Sequence, residues 1–121
     1  MTLMRVCCLA ATLLASAPAW AHATLTKASP AAGSTVEAAP AEVTLEFTEQ
    51  LEPAFSTIQV TDGQGTPVSA GKAALVPGRK NALVLKLAAL TPGTYTVTWK
   101  AVSVDTHVAK GSFTFTVAAT K

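Results

Sequence analysis

The sequence predicts an antiparallel β-sandwich of six or seven short strands, on three observations. Apolar and polar residues alternate with a period of two over several runs, the pattern of strands buried on one face only. Glycine- and proline-containing clusters separate those runs. No helical period survives beyond residue 21, apart from a short turn expected near "EQLEPA" (49–54). Short strands at this spacing, with turn signals between them, are the signature of a sandwich.

In chain order, "VTLEF" (43–47) sets Val43, Leu45 and Phe47 on one face and Thr44 and Glu46 on the other. "STIQVTD" (56–62) places Ile58 and Val60 together. "ALVLKL" (82–87) is more continuously apolar, as a more central strand would be. "TYTVTW" (94–99) aligns Tyr95, Val97 and Trp99, and "SFTFTV" (112–117) aligns Phe113, Phe115 and Val117. Between them lie "SPAAGS" (29–34), "DGQG" (62–65), "PGRKN" (77–81) and "TPG" (91–93), whose glycines and prolines supply special φ values and stop strands. The inward aromatics, Trp99 among them, read first as core.

The first 21 residues have a different character. Arg5 precedes the apolar run "VCCLAATLLASA" (6–17), Pro18 breaks it, and Ala19 and Ala21 form an A-x-A site. This is the layout of a cleaved secretory signal peptide, residues 1–21, followed by one domain, residues 22–121. The alternative is an uncleaved anchor, but the run falls short of the roughly 20 apolar residues that a span needs. Cys7 and Cys8 lie ahead of the leucine-rich part, the wrong place for a lipid-modified cysteine. Cleavage would remove both cysteines and both methionines, Met1 and Met4. The remaining chain would then have no disulfide and no sulfur ligand.

Composition narrows the classes further. The whole chain has 121 residues and a formal charge of +2. Without Arg5, eight basic residues face seven acidic ones. No like-charge run marks a nucleic-acid stripe or an anionic-membrane patch. The length of the mature part suits one domain with one core.

The chain has two histidines, His22 and His107. His22 follows the cleavage site. As a free N-terminal residue it would offer two nitrogens, its α-amine and its ring Nδ1, which can close a chelate on one metal. An α-amine has a pKa of about 7.7 to 8.0, so it gives up its proton to a cation far more readily than lysine does. His107 lies in "VSVDTHVAKG" (102–111), two residues after Asp105. In an extended segment such residues point the same way. The three residues together supply three nitrogens and one oxygen, a set that suits Cu(II) or Ni(II), with Cu(II) the tightest-binding divalent ion. Taken singly, His22 reads as a frayed terminus, and Asp105 and His107 as solvated side chains at a strand end.

The motifs resemble those of a known family. "HATLTKASPAAGSTV" (22–36) resembles the opening of the CopC-type periplasmic copper-resistance proteins. "GTYTVTWKAVSVDTHVAKGSFTFTV" (93–117) resembles their closing segment, with its Y-x-V-x-W, V-S-x-D-x-H and G-x-x-x-F-x-V, and "LEFTEQLE" (45–52) resembles their central strand ending in F-[ST]-E. The resemblance implies a Greek-key sandwich of about seven strands, immunoglobulin-like or cupredoxin-like, without enzymatic activity. It implies one Cu(II) per mature chain, held by the amine and ring of His22 with Asp105 and His107. Glu49, matched by the F-[ST]-E motif, would hydrogen-bond the amine end of the site; read alone, it is equally a solvated turn residue. Some members bind Cu(I) on a methionine-rich loop. A mature chain without methionine is similar to the Cu(II)-only type. The resemblance further implies a periplasmic monomer and an inner-membrane partner of the CopD type, with a secondary role for Trp99 in walling the metal site.

Two other functions fit part of the same sequence. An N-terminal histidine bracing copper is also the site of lytic polysaccharide mono-oxygenases, but this chain is small for that class and lacks an obvious set of exposed aromatics for a flat polysaccharide surface. A metal-free interaction sandwich is the third reading, since fold alone does not fix function.

Overall fold

The computed structural model describes residues 23–119. The expected signal segment, residues 1–21, and His22 lie outside the described residues. Within them the strands are β1 (Leu25–Ser29), β2 (Thr35–Val36), β3 (Glu42–Phe47), β4 (Thr57–Thr61), β5 (Ala74–Val76), β6 (Arg79–Lys86), β7 (Gly93–Val102) and β8 (Val108–Val117). They form two four-stranded sheets, ordered β1-β3-β6-β5 and β2-β8-β7-β4. Only β5–β6 and β7–β8 follow each other within one sheet; every other connection crosses between sheets. This is the Greek-key sandwich that the sequence leads one to expect, with eight strands rather than six or seven and with one short parallel pair, β2–β8. No helix occurs among the described residues.

The alternation seen in the sequence becomes the core. Val43, Leu45 and Phe47 of β3 and Leu83 and Leu85 of β6 face Val60 of β4, Tyr95 and Val97 of β7, and Phe115 and Val117 of β8. Each such side chain contributes about 1.5–3 kcal/mol when fully buried. Tyr95 stacks on its cross-strand partner Phe115 at 5.5 Å between ring centroids. Its hydroxyl donates to the carbonyl of Thr91, four residues upstream, so its polar end is satisfied. The continuous apolar run 82–85 fits a strand flanked on both edges, by β3 and β5.

Trp99 is a core residue, as first read: it is 9% exposed and meets Phe47 edge-on at 5.0 Å and 68°. Its cross-strand partner is Gly111. A Cβ on that glycine would lie 2.4 Å from Trp99 Cζ2, so the indole occupies the space that any other residue at 111 would need. The short turn expected near 49–54 is present slightly later, at residues 53–55. The amides of Phe55 and Ser56 both bond the carbonyl of Glu52, and the Ser56 hydroxyl ties that turn to the end of β7 by accepting from the Val102 amide at 3.0 Å.

Candidate metal site

The longest hairpin, β7–β8, carries Asp105 and His107 at its closed end. The sequence expects them on an extended segment, pointing the same way by parity. They are found instead in a tight loop. Val102 still pairs with Val108, and the Ser103 amide bonds the His107 carbonyl at 3.0 Å. The Thr106 amide returns to the Ser103 carbonyl at 2.9 Å. Thr106 has φ 72°, the left-handed residue that commonly closes a three-residue hairpin loop. A β-branched residue adopts this conformation only when its surroundings enforce it. The loop still brings the two side chains together: Asp105 Oδ2 lies 3.3 Å from His107 Nδ1. Two ligands at right angles, each bonded at about 2.0 Å, would stand about 2.8 Å apart. The pair is therefore close to the spacing that one metal ion needs.

Asp105 is half exposed, whereas Ser103 beneath it is 1% exposed. The Ser103 hydroxyl donates to Asp105 Oδ1. That hydrogen bond is the main cause holding the Asp105 carboxyl below its ordinary value. The nearby His107 ring and backbone amides add to the effect, against a smaller opposing push from burial. Asp105 is thus kept as an anion, the form in which it can bind a cation.

The strip Thr48–Leu51 joins this loop to the beginning of the described chain. On one side, the Thr24 amide donates to Thr48 Oγ1 and the Thr48 amide to the Thr24 carbonyl, each at 3.0 Å. On the other, the Val104 amide donates to the Gln50 carbonyl at 3.0 Å, and Leu51 bridges to Ser103. Ala23, the residue after His22, is buried at 3% exposure. A register shift between Leu25 and Lys27 marks a bulge in β1, a device common beside functional sites. Glu49 lies half-buried in the middle of the strip.

Of the sequence-predicted residues, then, Asp105 and His107 are in contact, Glu49 stands on the strip beside their loop, and His22 lies outside the described residues. Among the described residues no group of three His, Cys, Asp or Glu could hold a metal. Sequence reasoning assigned no role to Ser103. Its signal was the same parity that linked Asp105 to His107, extended back by two residues.

The fold is that of a small two-sheet Greek-key sandwich domain, with an Asp–His pair on its longest hairpin. A family model for the CopC domain matches residues 25–118, and the chain belongs to that family. Protein YobA of Escherichia coli K12 is 42% identical over 107 residues, spanning 88% of this chain and 86% of its own. Copper resistance protein C of Xanthomonas campestris pv. juglandis is also 42% identical, over 110 residues and 86% of each chain. Among solved structures, CopC from Methylosinus trichosporium OB3b superposes with a TM-score of 0.77 at 34% identity, over 83% of this chain and 97% of that one.

Proposed function

We propose that this chain is a copper-homeostasis protein of the periplasm that holds one Cu(II) and either sequesters it or passes it to a partner. The observation that carries this reading is the Asp105–His107 pair, 3.3 Å apart, in a chain of the CopC family. Asp105 would supply an anionic oxygen and His107 a ring nitrogen. His22, exposed by cleavage after Ala21, would add its amine and its own ring. Glu49, half-buried between the chain start and the metal loop, would accept a hydrogen bond from the amine. The resulting set of three nitrogens and one oxygen is the tetragonal set that Cu(II) prefers. Copper here is cargo: the site holds it and does no chemistry on a substrate. The protein acts as a monomer, and an inner-membrane copper protein of the CopD type is the acceptor.

Isothermal titration of the mature chain, starting at His22, tests this reading. One equivalent of Cu(II) should bind, and His107→Ala should weaken binding while leaving the apo β-sheet circular dichroism unchanged. No saturable Cu(II) binding would overturn the proposal. With neither cysteine nor methionine in the mature part, Cu(I) should bind only weakly. Tight Cu(I) uptake in competition with a chromogenic chelator would contradict the ligand set.

A further inference from the structure

Resting on that reading of the site, we propose that Ser103 is its positioning residue: the buried hydroxyl holds Asp105 Oδ1 so that Oδ2 alone is presented, beside His107 Nδ1, to the ion.

The geometry leaves Ser103 little freedom. Its amide bonds the His107 carbonyl, its own carbonyl accepts from Thr106, and it bridges to Leu51 on the neighbouring strip. Its side chain is enclosed, with the residue 1% exposed. A hydroxyl has one proton to give. Two acceptors lie within reach, Asp105 Oδ1 and the His107 carbonyl, the latter at 3.3 Å. The carboxylate is the stronger acceptor and takes the proton.

The consequence falls on Asp105. Its side chain is half exposed at 52% and sits in a loop, so without a partner it would sample several rotamers. Fixing it only when the metal arrives would cost binding energy, and fixing it beforehand removes that cost. Occupying Oδ1 also makes the aspartate a one-oxygen ligand. Hard cations such as Ca²⁺ often take a carboxylate through both oxygens, so the same bond disfavours them. Hydrogen-bonding partners of this kind commonly change metal affinity by about 10- to 100-fold.

A double-mutant cycle tests the proposal in the mature chain, with Cu(II) affinity and the electron paramagnetic resonance spectrum as readouts and circular dichroism as the check on folding. Ser103→Ala should weaken Cu(II) about 10-fold or more and shift the copper hyperfine splitting. In an Asp105→Ala background, the same change should alter affinity by less than about twofold, because the carboxylate through which Ser103 acts is gone. If Ser103→Ala does not fold, Ser103→Gly is the second hydroxyl-free variant and carries the same expectations. Equal weakening by Ser103→Ala in both backgrounds would mean that the serine acts on the loop and not through Asp105, which overturns the proposal. So would unchanged affinity and spectrum in Ser103→Ala while Asp105→Ala weakens binding; the metal site itself would then stand. Unchanged affinity in Asp105→Ala would instead remove Asp105 from the ligand set, and the inference with it.

Discussion

The structure tunes the acid response of Asp105. The hydrogen bond from Ser103 holds the Asp105 carboxyl below its ordinary value. A depressed carboxyl contributes its stabilisation above the unfolded-state value and loses it only as pH falls through the lower, folded value. Asp105 therefore stays charged through mild acid. A metal-binding nitrogen must be free of its proton, since a protonated nitrogen cannot bind a metal. Cu(II) affinity should consequently fall as pH is lowered from about 8 towards about 5, with nitrogen protonation as the cause. Asp105→Ala should bind less tightly at every pH yet keep that slope. Competition titrations at stepped pH measure both, and an affinity unchanged from about pH 7 to about pH 4 would contradict the nitrogen-rich ligand set. At this scale the sequence pairs two residues that the structure does bring together, but for an incomplete reason. Parity aligned Asp105 with His107, but the loop, with Thr106 at φ 72°, is what joins them, and a left-handed threonine has no sequence signal. Ser103 escaped because a serine at a strand end is ordinary until its burial is known.

The hairpin β7–β8 carries Asp105 and His107 at its closed end, and its packing depends on one notch. Trp99 fills the space over Gly111. Adding a methyl group there forces the indole off its contact with Phe47, and overpacking of this kind costs about 1–3 kcal/mol. Gly111→Ala should thus lower the apo melting temperature by about 4 °C or more; a melting curve superposable on the parent would contradict the notch. The strands legible in the sequence were the interior ones, together with β4, because burial on one face imposes alternation. The strands it did not reveal, β1, β2 and β5, are all edges. β1 loses its alternation to the bulge between Leu25 and Lys27, and β2 and β5 have two and three residues, too few to establish a period.

As a whole molecule, the protein separates folding from metal binding. Its core, from Ala23 to Val117, is assembled mostly from strand faces, while Asp105 and His107 stand in a loop at one end and carry little of that packing. The apo chain should therefore show a cooperative β-sheet unfolding transition, unlike a zinc finger, which needs its metal to fold. Cu(II) should raise the transition by mass action, by about 4 kcal/mol at a thousandfold excess over Kd. Calorimetry with and without Cu(II) checks both; an unfolded apo chain would contradict this separation. Under the proposed function, cleavage after Ala21 would complete the site, because an amide nitrogen at His22 is planar and a poor donor whereas a terminal amine is a good one. The direct measurement compares Cu(II) affinity and electron paramagnetic resonance spectra of two chains, one starting at His22 and one with a single glycine ahead of it. Much weaker binding and an altered spectrum in the extended chain, with the fold intact, are the predicted result; equal affinities with matching spectra would show that the amine is no ligand.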